Sequence, residues 1–167
     1  MRRMGAGGRG TCVAAVAVGL LLATAVGGEV GAADAEQGRQ VYKKANCVGC
    51  HKWHGGGGGG YGGAALSLRA TQLDREQIEE VVRCGRPATG MPYHDREAYG
   101  ARSCYGGLDR DSLGKDAPPK GVVFLRDPEI AAVVEYVTQK IQGKGEPTHE
   151  DCVAFWGSQS RECQGSK

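Results

Sequence analysis

The stretch A45-N-C-V-G-C-H-K-W-H54 decides how this chain is read. It places two cysteines three positions apart and sets a histidine directly after the second. Three chemistries use paired cysteines at this spacing: thiol–disulfide exchange, structural zinc, and covalent haem attachment. Only the third uses all of Cys47, Cys50 and His51. Each thiol adds to a haem vinyl group, the two-residue gap spans both vinyls on one helical turn, and the next residue is held under the iron as an axial ligand. Thiol exchange leaves His51 without a role and expects a βαβ context that the chain lacks. Structural zinc needs a second ligand pair at zinc-like spacing, and Cys84, Cys104 and His54 do not supply one.

The N-terminus supplies the compartment for such chemistry. Arg2, Arg3 and Arg9 precede an apolar run from Thr11 to Val26, and small residues follow. This order is that of a secretory signal peptide, expected over residues 1–33, with cleavage after Ala32, Ala33 or Ala35. An uncleaved anchor is the alternative, but the run is short and rich in Ala and Gly. No stable membrane span is expected once the leader is removed. Localisation in the periplasm follows. Removal of residues 1–33 takes 21 basic and 19 acidic residues to 18 of each. A near-neutral chain gives no reason to expect nucleic acid or an acidic membrane surface as partner. Cys12 leaves with the leader, so six cysteines remain, in a compartment where disulfides persist. Apart from the motif pair these are Cys84, Cys104, Cys152 and Cys163. They allow three pairings, which spacing alone does not decide; Cys84–Cys104 with Cys152–Cys163 closes the shorter loops and is preferred.

Helical signals surround the motif. Residues 34–46 form a short helix leading into it, with Gly38 and Tyr42 on one face. Residues 55–63, GGGGGGYGG, are a loop by composition: a low-complexity spacer, or else backbone passing close to a flat ligand. A second helix begins near Asp74, where Asp74 and Gln77 have capping-box spacing. It carries Ile78, Val81 and Val82 as its apolar stripe and stops at Gly85. R86-P-A-T-G-M-P-Y-H94 cannot be helical. Residues 95–126 are long and polar, with a short helix near Asp111. The strongest helix is D127-P-E-I-A-A-V-V-E-Y-V-T-Q-K-I-Q-G143. Asp127 is its expected N-cap and Pro128 its first residue, with Ile130, Val133, Val134, Val137 and Ile141 along one face. Residues 146–167 show little periodicity. No repeat and no convincing strand is present, so the domain is all-α with long loops.

These side chains make a thin core. Aromatic residues are 6% of the chain and glycine fills 29 of its 167 positions. A large apolar cofactor would complete it. Beyond the leader, Met91 is the only methionine. It sits in Gly90-Met91-Pro92, where the prolines keep the backbone extended and present one side chain. Met91 is the expected second axial ligand, against the alternative of a methionine filling a gap. His94 and His54 are its competitors, but both, like His149, are expected at the surface.

On these residues the chain resembles the class I c-type cytochromes. The matching features are Gly38 and Tyr42, C47-V-G-C-H51, G90-M-P92, and Tyr136 in the last helix, over about residues 34–143. In that family the first and last helices cross with a small residue against an aromatic one, here Gly38 against Tyr136. The resemblance implies a small helical domain (residues 34–145) wrapped around one covalently bound haem c, followed by a disulfide-stapled tail (146–167). It implies single-electron transfer through an exposed haem edge rather than substrate turnover. Donor and acceptor would be redox proteins: a dehydrogenase on one side, an oxidase or another cytochrome on the other. G-M-P-Y-H-D with its later cysteine-bearing tail is similar to cytochromes paired with periplasmic quinoprotein dehydrogenases. The alternative is a haem enzyme or small-ligand sensor with an open sixth iron position.

Family members carry a proline after the histidine, whose carbonyl orients the proximal ring. Here G59-G-Y-G-G-A-A-L-S-L68 contains none, so another carbonyl must serve. A Cys84–Cys104 bridge would enclose Met91 and limit its swing. D109-R-D-S-L-G114 resembles the start of a calcium loop but fails at Leu113 and Lys120. Lys43, Lys44, Lys52, Arg69 and Arg86 are a candidate docking patch, with solvated charge as the default. Trp53, Tyr61 and Tyr93 are candidates for packing on the haem.

Overall fold

The computed structural model describes residues 30–60 and 63–164. Nearly all of the expected leader, including Cys12, lies outside the described residues, as does Tyr61. Among the described residues six α-helices follow one another: α1 (Val30–Lys44), α2 (Cys47–His51), α3 (Arg75–Cys84), α4 (Arg110–Leu113), α5 (Asp127–Tyr136) and α6 (His149–Trp156). Among the described residues there is no strand, only isolated bridges such as Tyr93 with Lys120. The all-α expectation holds.

α1 and α5 cross at Gly38. A Cβ built there would lie 2.1 Å from the Ala132 carbonyl oxygen and 2.6 Å from Tyr136 Cβ, so only glycine lets the two backbones approach this closely. The expected contact of Gly38 with Tyr136 is therefore present. Ile130, Val133, Val134, Val137 and Ile141 are all buried, as their spacing predicts, and pack with Val41, Tyr42 and Ile78. Asp74 and Gln77 close the capping box of α3 with two 2.9 Å hydrogen bonds.

The structure corrects three details. α5 starts one residue earlier than expected: Arg126 is the N-cap, its N–H donating to Glu129 Oε2 at 2.9 Å, while the Asp127 carboxylate accepts from Arg83 at 2.6 Å. The ion pair draws Asp127 away from the capping position. The same helix then widens into a π turn over Val137–Ile141, where the Gln142 N–H donates to the Val137 carbonyl. The tail, whose sequence shows little periodicity, forms α6. Thr148 caps it and forms a capping box with Asp151. Phe155 of α6 is 2% exposed and belongs to the main core.

Two disulfides form, Cys84–Cys104 and Cys152–Cys163. This is the preferred local pairing. The first ties the C-terminus of α3 to the polar loop; the second ties α6 to the chain end.

Candidate haem site

α1 delivers the motif through one tight turn. Asn46 adopts the left-handed conformation (φ 60°, ψ 28°), which asparagine tolerates better than most residues, and the chain re-enters a helix at Cys47. α2 consists of the motif itself. Cys47 and Cys50 lie one turn apart and neither is in a disulfide. Burial pushes the Cys47 thiol up to about 12. A disulfide-exchange nucleophile needs the opposite shift.

His51 Nδ1 lies 2.9 Å from the Leu66 carbonyl oxygen. A carbonyl can only accept, so Nδ1 carries the proton and Nε2 carries the lone pair. Burial lowers the His51 pKa, and the Leu66 hydrogen bond opposes this in part. The imidazole is thus oriented as a metal-ligating histidine is, with its far nitrogen fixed by a backbone acceptor. Leu66 supplies the carbonyl that the missing proline left unassigned.

The described part of the glycine run is more than a spacer. It folds back on the motif helix and satisfies its last carbonyls. Gly57, Gly59 and Gly60 donate N–H bonds to His51, Cys50 and Gly49 at 3.1, 2.9 and 3.3 Å. These acceptors are the free carbonyls at the end of a helix too short to use them itself.

Met91 is half-buried, on a separate segment that other residues hold in place. Its N–H donates to Thr89 Oγ1 at 3.1 Å, and its carbonyl accepts from the Arg86 N–H at 3.2 Å. Two residues further on, Tyr93 exchanges backbone bonds with Pro119 and Gly121 at 3.0 and 2.9 Å. The Cys84–Cys104 bridge encloses the segment, as expected.

Two of the three remaining histidines depart from the expected surface position. His94 is 2% exposed rather than at the surface. Its Nδ1 lies 3.0 Å from the Val123 carbonyl, and its N–H donates to the Val82 and Arg83 carbonyls. The Val123 carbonyl offsets part of the cost of burying the ring. His54 is half-buried; it accepts from the Gly56 N–H at 3.1 Å and stands edge-on to Trp53. His149 is exposed.

Several side chains considered for docking or packing have partners within the chain. Lys43 donates to the Phe155 carbonyl at 2.7 Å and lies over the Phe155 and Trp156 rings. Lys44 pairs with Glu129 at 2.6 Å. Arg69 binds the His54 and Gly145 carbonyls. Lys52 and Arg86 remain exposed. Trp53 packs on Phe155, and Tyr93 on Tyr99 and Phe124. Asp109 caps α4 through the Ser112 N–H, which accounts for the calcium-like spacing. No cluster of metal-ligating side chains occurs among the described residues.

Two thiols one turn apart, free of each other, beside an imidazole with a fixed tautomer, fit a covalently held haem. Residues 33–102 match the family model of cytochrome C oxidase, cbb3-type, subunit III. The match supports a c-type cytochrome. It spans α1, the motif helix, α3 and Met91, and stops before α5. A c-type cytochrome domain acts in electron transfer, with haem c as its cofactor and redox proteins as its partners. No curated protein and no solved structure gives a significant match to the chain. No described helix is long and apolar enough to cross a membrane.

Proposed function

We propose that the chain is an exported carrier of single electrons, with one haem c attached through Cys47 and Cys50 and ligated by His51 and Met91. The observation that carries this reading is the His51–Leu66 hydrogen bond, which commits Nδ1 and leaves Nε2 for iron beside two unpaired thiols. Haem c, when bound, supplies the one-electron iron couple. The chain does the rest. Cys47 and Cys50 tether, Leu66 orients His51, and the α1–α5 crossing holds the motif helix against the core. Met91 is the proposed sixth ligand because it is the only thioether beyond the leader and its backbone is braced on both sides. Two strong axial ligands would leave no vacancy for substrate, hence a carrier rather than an enzyme.

The proposed organisation is a leader over 1–33, a haem domain over 34–145 and a stapled tail over 146–167, with the mature protein in the periplasm. The family that matches is named for an oxidase subunit, which supports an acceptor on the terminal-oxidase side. A dehydrogenase, a quinoprotein among the candidates, is the proposed donor.

The test is the optical spectrum of the oxidised and reduced protein, produced with haem-attachment machinery. A weak long-wavelength sulfur–iron band in the oxidised form, absent from Met91→Ala, is expected. A bis-histidine spectrum would replace Met91 by His94, whose Nδ1 is also fixed by a carbonyl. A high-spin spectrum that responds to carbon monoxide on reduction would favour a haem enzyme or ligand sensor. A chain that takes up no covalent haem would end the reading.

A further inference from the structure

The His51 hydrogen bond ends on a leucine, whose backbone φ is not fixed by a ring. Something else must hold the Leu66 carbonyl in place. The surrounding arch consists of residues 55–59 lying against 65–68. The Gly58 N–H donates to Ala65 at 2.8 Å, the Ala65 N–H to Gly59 at 3.2 Å, and the Leu68 N–H to Gly55 at 2.7 Å. Within this arch Gly57 touches both ends of the proximal contact. Its N–H donates to the His51 carbonyl at 3.1 Å. Its missing Cβ would lie 2.5 Å from the Ala65 oxygen, 2.7 Å from the Leu66 carbonyl carbon and 2.8 Å from the Leu66 oxygen. All three are backbone atoms, which cannot swing aside as the end of a side chain can.

We infer that Gly57 is a positioning residue for the axial histidine, setting the Leu66 carbonyl against His51 Nδ1 and through it the reduction potential. This rests on the haem reading above. A carbonyl that accepts from Nδ1–H makes the imidazole a better electron donor and favours the oxidised iron. A Cβ at position 57 pushes that carbonyl away. The bond to Nδ1 lengthens, and the oxidised state loses its advantage.

The adjacent glycine provides the control. Gly58 has the same φ of +75° as Gly57, yet a Cβ there meets no described atom within 4 Å. Gly57→Ala and Gly58→Ala therefore carry the same backbone penalty and differ in contact with the carbonyl.

The experiment uses the full chain exported with haem attachment. Covalent haem is assayed first: if the unsubstituted protein carries none, the haem reading fails and the proposal with it. If it does, midpoint potentials and thermal midpoints of both variants are measured. G57A should shift to a more positive potential, with weakened protection of the His51 Nδ1 proton from exchange. G58A should keep the original potential while losing only the stability that the shared backbone penalty costs. Equal potentials in G57A and G58A would overturn the proposal. Should G57A yield no haem protein, Ala65→Pro deletes the Ala65–Gly59 bond from the other side of the arch. It should raise the potential likewise, and an unchanged potential in A65P would overturn the proposal.

Discussion

The ring of Phe155 meets that of Tyr42 edge-on, with centroids 6.2 Å apart and planes at 88°. This contact joins the last helix to the first. Tyr136 and Trp53 complete the cluster, with centroids 6.4 and 6.2 Å from Phe155. The Phe155 carbonyl also accepts from Lys43 Nζ and from Arg39, so two cations of α1 sit at the C-terminal end of α6, where the helix dipole favours them. Phe155→Ala should cost about 3–5 kcal/mol, the range for a buried phenylalanine whose site does not collapse. Chemical denaturation of the haem-bearing protein measures this. A loss below about 1 kcal/mol, the level of a surface substitution, would mean that α6 is not part of the cooperative core.

The helix crossing makes a sharper demand. At Gly38 the obstacles to a Cβ are the Ala132 carbonyl and the Tyr136 Cβ, both fixed in α5. Gly38→Ala would ordinarily stabilise an exposed helix by about 1 kcal/mol. Here the helices must separate, and the expected net change is a loss of roughly 2–3 kcal/mol, typical of overpacking. The same denaturation experiment decides between the signs.

How much of this was legible in the sequence depended on how local the cause was. C47-V-G-C-H51 carries its chemistry in five adjacent residues. The α5 stripe and the Asp74–Gln77 cap are likewise written within one or two turns. The acceptor for His51 was not legible, because Leu66 is fixed by hydrogen bonds between two loop segments and not by its own residue type. The glycines read as a spacer, or as backbone close to a flat ligand, for the same reason: the described ones act through N–H groups aimed at α2 carbonyls. His94 read as a surface residue because its partner, the Val123 carbonyl, lies 29 residues further on. α6 left one usable signal, Thr148 with Asp151 three later, which apolar periodicity alone passed over.

Acid stability should depend on Glu129. Its carboxylate accepts from Lys44 Nζ at 2.6 Å and from the Arg126 N–H at 2.9 Å. Chiefly through Lys44, these hold it at about 2, against an ordinary value of 4.5. The folded pKa lies below the unfolded one, so the ionised group favours folding above the unfolded pKa. That contribution is lost as pH falls from 4.5 to about 2. Lys44 is half exposed, so solvent screening reduces the contribution to about 1 kcal/mol. Glu129→Gln should be less stable than the original protein at neutral pH by about that amount, and the gap should close as the solution is acidified. Thermal midpoints across the acid limb test this. A gap that stays constant with pH would remove the charge from the explanation and leave only packing.

The Cys84–Cys104 bridge encloses Met91 within a separation of 20 residues. Loop-closure entropy assigns such a cross-link about 3 kcal/mol. The loop has other ties to α3: Tyr99 Oη donates to the Cys84 carbonyl at 2.6 Å and the Tyr105 N–H to Glu80 at 2.9 Å. The paired variant Cys84→Ser with Cys104→Ser should therefore fold but lose about 3 kcal/mol in denaturant titration. On the proposed ligation it should do something further. With the bridge gone, the segment bearing Met91 can open before the α1–α5 crossing does, because the crossing and the motif helix do not depend on it. The sulfur–iron band should then disappear at a lower denaturant concentration than helical circular dichroism, whereas in the bridged protein the two are lost together. Coincident loss in the variant would show that the bridge acts on overall stability alone and that the remaining hydrogen bonds suffice to hold Met91.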